Sequence, residues 1–548
     1  MRVHRRTSGL VAGAATLSLI LAACGSDEGG GSGGGGAATG AVTINGSEPQ
    51  NPLIPLNTNE SGGHDITDAL TTGLVNYNPK DAAPVNAMAE SIDSADNTNF
   101  TIKIKKGWKF HDGTEVKAKN YVDSWNWGAH GLNAANLSFF YEPIVGFTEV
   151  QGEDKNKDDK VTADEAPIKE MSGLKIVDDY TFTVQTTSPV SNFPGRLGYS
   201  SFDPLPDSFF KDPKAYGDKP VGNGPFKFVS WTHNKEIKLT AYTDYTGPDK
   251  ASVKDVTFKI YQNQDSAYND LLAGNLDIMD TIPTAALAGE KYQSDLGKNW
   301  VKQAQGAIQT MSFASPKTDP RFNNKDLRHA ISMAVDRDTI TKTIFAGTRA
   351  PADGFVSPVV DGAKKGACGE FCTFDPAKAK ALYAKAGGVT GTIPLTYNAD
   401  GDHKGWTTAV CNSINKTLGT KCVATPMTTF DLFLEARDAR TLKGLFRTGW
   451  VMDYPHIENF LGPIYGTGAG SNDNDYSNPA FDAKLKEAAA AKGEDANKLY
   501  QEAESILVED MTVIPLWYYA TNAGWSKNIS SVQFSAFGDV AISTIKKK

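Results

Sequence analysis

Hydrophobic and polar residues alternate along some stretches of the chain and recur at helical spacing along others. In FTIKIKKGW, Phe100, Ile102 and Ile104 alternate with polar residues, which predicts a half-buried strand. Further on, Tyr121 and Trp125 recur at the spacing of one face of a helix. The chain must therefore reverse its direction between these two segments.

The tripeptide His111-Asp112-Gly113 lies at that reversal. Gly tolerates positive φ and Asp can bond its own backbone, so the tripeptide favours a tight turn. A catalytic His–Asp pair is the alternative interpretation of the same residues.

The rest of the chain repeats this alternation of short strands and amphipathic helices. Strands are predicted at YTFTVQT, IKLTAY and VTFKIYQ, and helices at DLRHAISMAVDRDTITKTIF, DPAKAKALYAKAG and NPAFDAKLKEAAAA. Asp375 and Asn478 can cap the last two helices, Pro follows each cap, and Gly387 ends the first of the two. The pattern is typical of a mixed α/β protein.

The first 40 residues lack this pattern and instead predict export. MRVHRR is cationic and LVAGAATLSLILAA is apolar but short for a membrane span, so residues 1–23 are predicted to be a signal peptide. LAAC resembles the bacterial lipobox, in which cleavage leaves the cysteine, here Cys24, as a lipid-modified first residue. A buried or disulfide-bonded Cys24 is the alternative. Residues 24–40 are rich in Gly and predict a flexible tether on the outer face of the cytoplasmic membrane.

Charge and length narrow the class of partner. Without Arg2, Arg5 and Arg6 the chain keeps 52 basic residues against 64 acidic ones, a net charge of −12. Binding of nucleic-acid phosphates needs a basic surface, so no nucleic-acid partner is expected.

About 500 ordered residues exceed what one hydrophobic core usually spans, so we expect at least two lobes in a monomer.

Four cysteines remain after processing, an even number in an oxidising compartment. Cys368–Cys372 together with Cys411–Cys422 is the most local of three pairings. The spacing CGEFC could also indicate a redox or metal motif, but it has three intervening residues and no partner His nearby.

One acidic segment, EDKNKDDKVTADEA, matches the spacing of an EF-hand calcium loop with one departure. Its predicted ligand positions are Asp154, Asn156, Asp158, Lys160, Thr162 and Glu165. Asp159 occupies the slot normally held by Gly, where a sharp turn is needed. A structural calcium ion is one interpretation, and a solvated surface loop is the other.

Enzyme motifs are absent from the ordered part of the sequence. The one Gly-x-Ser-x-Gly match, at residues 30–34, lies in the tether, and no Walker loop, His-Glu-x-x-His or Gly-x-Gly-x-x-Gly is present outside the tether. A hydrolase of the secreted lipoprotein type would need a nucleophile beside a His, and nothing specific indicates one. No cofactor is expected.

Several motifs in succession resemble the peptide-type, family 5, solute-binding proteins of ABC importers. They are FTIKIKKGWKFHDGTEVKAKNYVDSW, VGNGPFKFVSW, LRHAISMAVDRDTI, FDPAKAKALYAKAG, GWVMDYPHIENFL, SNPAFDAKLKEA and VIPLWYY. Each motif alone is weak evidence for the resemblance, but the occurrence of all of them in the order found in the family is strong evidence. Lys117 departs from the pattern, because family members often carry Ser or Thr there as a helix cap.

The resemblance implies a two-lobed α/β fold of the periplasmic binding protein type (type II, cluster C) that closes over its ligand. Two chain crossings, near residues 305–312 and 506–512, would make residues 41–305 plus 512–548 lobe I. Residues 306–511 would form lobe II, and an extra subdomain at about residues 76–216 would enlarge lobe I.

The resemblance also implies a ligand site around LFRTGWVMDYP. In oligopeptide-binding members an Asp at the position of Asp453 pairs with the peptide's terminal ammonium, close to the positions of Arg447, Trp450 and Tyr454. Arg447 would either hold a ligand carboxylate or orient Asp453, and Asp453 could instead be an ordinary turn residue.

Other cleft residues follow less directly from the resemblance. Phe430, Trp517 and Tyr519 would place aromatic rings over the ligand, although such rings are more often part of a core. Asn59 and Glu60 both align with a ligand-side acidic loop. The function implied is capture of an oligopeptide for delivery to an ABC permease, without catalysis. Capture of an oligosaccharide or another small solute is the alternative within the family, and it would leave Asp453 without an ammonium partner.

Overall fold

A computed structural model describes residues 38, 40–58, 60–155, 161–261, 263–399, 403–428 and 430–548. The predicted signal peptide and Cys24 lie outside the described residues, as do Asn59, Asn156, Asp158 and Lys160. No helix in the described ranges is both long and apolar enough to cross a membrane.

The strands of the described chain are short except for two. They are β1 Ala41–Gly46, β2 Val75–Tyr77, β3 Pro84–Asn86, β4 Ala89–Ser94, β5 Asn99–Ile104, β6 Leu174–Asp178, β7 Thr181–Gln185, β8 Phe226–Thr232, β9 Glu236–Ala241, β10 Asp255–Ile260, β11 Ile278–Met279, β12 Trp300–Phe313, β13 Ala350–Pro351, β14 Thr392–Asn398, β15 Lys421–Met427, β16 Leu445–Val451, β17 Val513–Trp525, β18 Ile529–Phe534 and β19 Val540–Lys547.

The α-helices are distributed along the whole described chain. They are α1 Ser61–Leu70, α2 Ala118–Ala129, α3 Phe147–Gln151, α4 Phe193–Arg196, α5 Pro213–Asp218, α6 Gln264–Ala273, α7 Thr284–Leu287, α8 Lys291–Leu296, α9 Lys325–Met333, α10 Arg337–Ile344, α11 Pro376–Lys385, α12 Lys404–Leu418, α13 Phe430–Asp438, α14 Gly462–Tyr465, α15 Pro479–Ala490 and α16 Gly493–Asp510.

One large sheet runs in the order β15-β14-β16-β12-β17-β11-β1-β10-β9-β8, with β13 paired to β17. The long antiparallel strands β12 and β17 occupy its middle, and their register shifts between Ala304 and Ile308. Both predicted crossings fall at or beside these two strands. A separate four-stranded sheet has the order β4-β5-β7-β6. The mixed α/β fold is as predicted, while the lobe boundaries remain predictions.

Buried apolar residues form several distinct cores, the first of which includes residues of β12 and β17. One core surrounds Met311, Trp406 and Trp517, and a second surrounds Trp125 and Phe182 near the four-stranded sheet. A third core packs under β1, β9 and β10. Burying this apolar surface is the main force that holds each part together.

The tripeptide His111-Asp112-Gly113 forms the predicted turn. Gly113 has a φ of 89°, and Asp112 Oδ1 accepts hydrogen bonds from the backbone N (2.9 Å) and the hydroxyl (2.6 Å) of Thr114. His111 Nδ1 accepts from Gly222 N at 3.2 Å, so Nε2 carries the proton and donates to Gly224 O at 3.0 Å. Burial lowers the pKa of His111 to about 4, and the ring serves as a structural brace.

The predicted caps are confirmed. Asp375 accepts hydrogen bonds from the N–H groups at the start of α11, and Asn478 does the same for α15. At Lys117 the backbone N–H donates instead to the side chain of Asn120 at 2.9 Å, which offsets the missing Ser or Thr cap of α2. The prediction of one helix over DLRHAISMAVDRDTITKTIF is wrong, because Asp336 caps a new helix, α10, after α9 has ended.

Both local disulfides, Cys368–Cys372 and Cys411–Cys422, are present. The first lies beside α9, and the second joins α12 to β15. The second disulfide therefore fastens two adjacent elements together, whereas the first closes a single turn.

Candidate functional site

Two adjoining cavities lie where the central strands meet the flanking elements. The first, of about 620 Å³, is lined by residues of α1, α10 and β17 and by the loop between β18 and β19. The second, of about 390 Å³, is lined by residues of α1 and by Tyr77 and Tyr199. Phe537 and Asp539 line both cavities, so together they form one candidate cleft.

One wall of the first cavity is acidic. Asp65, Asp280 and Asp539 line it, from three separate segments of the chain. Asn45 fixes Asp280 by donating from Nδ2 to Oδ1 at 3.1 Å and by accepting from the backbone N at 3.0 Å. Burial raises the pKa of Asp65 well above its usual value, and the charges of Asp539 and Asp280 raise it further.

The other wall carries cations and aromatic rings. The Arg349 guanidinium lies 4.2 Å from the ring centroid of Tyr519 and 3.9 Å from that of Phe345, and Lys342 lines the same cavity. The Tyr519 hydroxyl donates to Gln309 Oε1 at 2.8 Å. Tyr519 thus lines the first cavity, and its contact with a ligand stays a prediction.

Asp453 follows β16, and its charge acts on Tyr77 and Tyr199, two residues that line the second cavity. Its Oδ2 accepts from Asn459 Nδ2 at 2.9 Å, and its backbone N donates to Asn459 Oδ1 at 2.9 Å. Burial raises its pKa to about 6, against the opposing effects of Asn459 and Arg196. Burial likewise raises the pKa of Tyr199, and the charges of Asp453 and Asp539 raise it further.

An ion pair between Arg196 and Glu458 supports the loop that carries Asp453. Arg196 Nη2 and Glu458 Oε2 are 2.9 Å apart, with side chains only 15% and 13% exposed. Tyr454 donates its hydroxyl to the same Glu458 oxygen at 2.6 Å, and its ring lies 4.9 Å from the Arg196 guanidinium. Tyr454 is 3% exposed, so it is part of this support and not of the cleft surface.

Arg447 lies on β16, and its described partners are at the end of β14 and on α13. Its Nε donates to Asn398 Oδ1 at 2.6 Å, and its guanidinium lies 4.8 Å from the ring centroid of Phe430. The charges that act on Asp453 are those of Arg196 and Glu458. This geometry favours a separate role for Arg447 over orientation of Asp453. Phe430 is 39% exposed and stacks on Phe433 at a centroid distance of 6.3 Å, and its contact with a ligand stays a prediction.

The two tryptophans predicted near the ligand serve mainly as supports. Trp450 donates from Nε1 to Asn459 Oδ1 at 2.9 Å and so holds the residue that fixes Asp453. Trp517 has no exposed surface, and its ring packs against Phe345 and Trp406 at centroid distances of 5.0 and 5.3 Å. In this conformation Trp517 therefore has no exposed ring face that could contact a ligand.

Glu60 caps helix α1. Its Oε2 accepts from Gly63 N at 2.9 Å and its Oε1 from Gln50 N at 3.1 Å. Both oxygens thus satisfy backbone N–H groups, which is a structural use of the residue. The alternative position, Asn59, is outside the described residues.

At the predicted calcium loop, the structure describes only the flanks. Glu165 accepts hydrogen bonds from the Thr162 backbone N at 3.0 Å and hydroxyl at 2.8 Å, and from Lys155 N at 3.0 Å. Within the described residues, no group of three or more His, Cys, Asp or Glu side chains could hold a metal ion. Calcium binding by the whole loop, Asp154 included, stays a prediction.

Sequence reasoning missed Asp65, Asp280, Asp539 and Arg349. Asp280, Asp539 and Arg349 lie beside the ends of elements and Asp65 lies within α1, and the cleft forms only when these distant segments meet. A weak signal was available for Asp65, because the α1 sequence SGGHDITDAL places an acid four residues after its start.

Comparison with known proteins agrees with this architecture. The profile of the bacterial extracellular solute-binding proteins, family 5, matches residues 83–472. The oligopeptide-binding protein OppA of Bacillus subtilis is 25% identical over 550 residues, covering 95% of this chain and 96% of that protein. Periplasmic OppA of Escherichia coli is 27% identical over 494 residues, covering 87% of each.

A solved structure shows the same fold. The Escherichia coli murein tripeptide-binding protein MppA superposes with a TM-score of 0.72 at 22% identity, covering 93% of this chain and 99% of that one. The profile match spans well over half of the sequence, and the fold match spans nearly all of it. The chain therefore belongs to family 5 of the bacterial extracellular solute-binding proteins.

Proposed function

We propose that this protein captures oligopeptides outside the cytoplasmic membrane and delivers them to an ABC permease. The main support for the proposal is the environment of the Asp453 carboxylate. The protein orients this carboxylate through Asn459 but gives it no ion pair in the described part of the chain. Its pKa, raised to about 6 by burial, still leaves it mostly ionised at neutral pH.

A terminal ammonium is the partner that this arrangement lacks. It carries three N–H donors and a positive charge, and a charge-assisted hydrogen bond contributes about 1.5–3 kcal/mol. Both OppA relatives are named for oligopeptide binding, which supports the same ligand class. Arg447 and Arg349 are the candidates to hold the ligand's carboxylate, since Arg binds carboxylates in a bidentate manner.

The lobe assignment belongs to the same proposal. We assign residues 41–305 and 512–548 to lobe I and residues 306–511 to lobe II, so that the first cavity lies between them. Anchoring of a monomer by lipid on Cys24 would keep the protein beside its permease. In this proposal the two lobes bind the ligand and close over it, and no reaction is catalysed.

Oligosaccharide capture finds less support than peptide capture. Sugar sites rely on exposed aromatic faces, whereas Trp517 is buried and Tyr519 is covered on one side by Arg349. A sugar would also leave Asp453 without a cationic partner.

The test combines a change in the protein with a change in the ligand. Mass spectrometry of co-purified ligand first identifies a bound peptide, and calorimetry then compares that peptide with its N-acetylated form. Acetylation should weaken binding to the wild type about ten- to a hundred-fold. It should weaken binding to Asp453→Asn little, because both changes remove the same pair.

The control variant is Asp93→Asn, which removes one charge from the exposed strand β4. It should retain the wild-type sensitivity to acetylation. If the losses from Asp453→Asn and acetylation add independently, or if no free-amine peptide binds, Asp453 is not an ammonium anchor.

A further inference from the structure

We infer that a cluster of exposed lysines around the start of β1 binds the anionic phospholipid headgroups of the membrane that carries the protein. We name this cluster the lysine patch, and it consists of Lys254, Lys527, Lys546, Lys547 and Lys548. The inference rests on the lipid anchoring at Cys24 within the proposed function and adds an interaction surface to it.

Two lysines of the patch contact the point at which the predicted tether meets β1. Lys254 N donates to Gly40 O at 2.9 Å, and Lys547 Nζ donates to Ala41 O at 2.5 Å. Lys547 Cδ also lies 3.2 Å from the position that a Cβ at Gly40 would take. Gly40 is the last residue of the predicted tether, and Ala41 is the first residue of β1. The chain that leads to Cys24 therefore leaves the folded part of the protein through the lysine patch.

The other three lysines of the patch lie beside Lys547. Lys548 N donates to Asn528 O at 2.9 Å, where β18 and β19 pair as antiparallel strands. Lys527 directly precedes Asn528, and Lys546 directly precedes Lys547. The patch thus joins three segments that are far apart in sequence, because the fold brings the start of β10, the end of β17 and the end of β19 together.

Positive charge prevails on this surface. All five lysines are exposed, and within the described ranges none of them forms a salt bridge. Two acids lie close by, but Asp255 Oδ1 accepts from Thr240 Oγ1 at 2.8 Å, and Asp277 is 8% exposed and accepts from Asn528 Nδ2 at 3.2 Å. The protein as a whole is acidic, with 64 Asp and Glu against 55 Lys and Arg. The patch therefore has the opposite sign to the rest of the surface.

The patch and the candidate cleft lie at opposite ends of the β18–β19 hairpin. Phe537 and Asp539, in the loop of this hairpin, line both cavities, whereas residues 546–548 lie at its open end. The six residues of β18 span about 20 Å between the two ends. A membrane in contact with the patch therefore leaves the cleft accessible to a peptide.

Anionic phospholipid headgroups suit this surface because they offer many phosphates in one plane. Each lysine that lies close to an anionic membrane contributes about fivefold to binding. A Gly-rich chain of the length of residues 24–40 has a root-mean-square extension of about 20–25 Å. A lipid on Cys24 thus keeps the patch near the bilayer, where a modest attraction is enough to hold it there.

Lysine footprinting of the lipid-anchored protein tests this contact. The mature protein, purified with its lipid, is inserted into preformed vesicles of phosphatidylcholine or of phosphatidylcholine mixed equally with phosphatidylglycerol. A membrane-impermeant acetylating reagent and mass spectrometry then report the reactivity of each lysine. The five patch lysines should lose reactivity on the anionic vesicles only. They should regain it at about 1 M salt, where the Debye length falls to about 3 Å.

A variant of the patch shows whether its lysines act together. Removing three charges should lower the ratio of membrane-bound to free patch about a hundredfold. Lys254 and Lys527, which are unchanged in this variant, should then lose their protection on anionic vesicles. The variant carries Lys546→Gln, Lys547→Gln and Lys548→Gln.

The matched control removes the same charge from another exposed surface, around α5, and carries Lys211→Gln, Lys214→Gln and Lys219→Gln. It should retain the protection of all five patch lysines. Both variants should bind peptide with the affinity of the wild type, because neither set of lysines lines the cleft.

Several outcomes would overturn the inference. Equal reactivity on neutral and anionic vesicles, or protection of Lys254 and Lys527 that survives in the patch variant, would exclude binding of the patch to lipid. Protection in detergent without vesicles would assign the patch to the tether's own acids, Asp27 and Glu28. Protection in native membranes but not on pure anionic lipid would assign it to a membrane protein such as the permease.

Two results separate the inference from the proposed function. If the protein associates with neither kind of vesicle, the proposed anchoring fails and the inference fails with it. If the patch is protected on anionic lipid but no peptide binds, capture of peptides is refuted and the inference stands.

Discussion

Lowering the pH from 7 to 5 should weaken peptide binding through protonation of Asp453. In the ligand-free protein, burial raises the pKa of this carboxyl to about 6. A bound ammonium favours the ionised form, so the ligand binds the carboxylate and displaces the proton. Affinity should therefore be greatest near pH 7, where both the carboxylate and the ammonium are mostly charged, and fall as the pH drops through the pKa of Asp453.

The size of this effect follows from the fraction of ionised Asp453. About nine-tenths is ionised at one unit above the pKa and about one-tenth at one unit below it. Apparent affinity scales with the competent fraction, so it should fall about tenfold between pH 7 and pH 5. The peptide's own terminal charges do not change over this range, since the α-amino and α-carboxyl groups titrate near 7.8 and about 3.5.

Calorimetric titrations at half-unit steps, in two buffers of different ionisation enthalpy, measure both the affinity and the number of protons released. Burial also raises the pKa of Asp203, to about 7, and that of Asp65, so the wild-type curve alone is not diagnostic. The comparison is with Asp453→Asn, whose affinity should lack the tenfold step. Parallel curves for the two proteins would refute the assignment of the step to Asp453.

Three further predictions concern the support, the anchor and the acidic loop. Arg196→Met should destabilise the protein by about 3–5 kcal/mol in denaturant titrations because it strands the buried charge of Glu458, and Arg196→Met combined with Glu458→Met should recover most of that loss. Cys24→Ser should release the protein from sedimented membranes, and full retention would contradict the lipobox prediction. Calcium should bind the acidic loop weakly or not at all, and heat that persists after Asp154→Asn with Glu165→Gln would place the ion elsewhere.

Local features of the fold could be predicted because they depend on neighbours in sequence. The Asp112-Gly113 turn and the caps at Asp375 and Asn478 use backbone groups within three residues, and the structure contains all of them. The break between α9 and α10 was also local, but Asp336 lies inside a run whose hydrophobic spacing continues on both sides. The hydrophobic spacing alone could not show whether one helix continues through this run or a new helix begins at Asp336.

Residues of the cleft could be predicted from the sequence only where they belong to a family motif. Asp453 and Tyr519 belong to motifs of the family; Tyr519 lines the first cavity, and the charge of Asp453 acts on two tyrosines that line the second. Trp517 shares a strand face with Tyr519, yet Phe345 and Trp406 cover it, and these residues come from other helices. A pattern with a period of two residues gives the face of a strand but not the layer that covers it.

The Asp453 carboxylate also gives a physical reason for coupling ligand binding to closure of the lobes. Closing an empty cleft would remove water from Asp453, and its carboxylate would lose solvation without gaining a cationic partner. A ligand that brings an ammonium group offsets this cost, and the pair strengthens as water leaves. The ligand thus interacts differently with the open and closed states, which is the requirement for shifting the balance between them. Asp453→Asn should therefore make the empty protein close more readily and discriminate less between peptides.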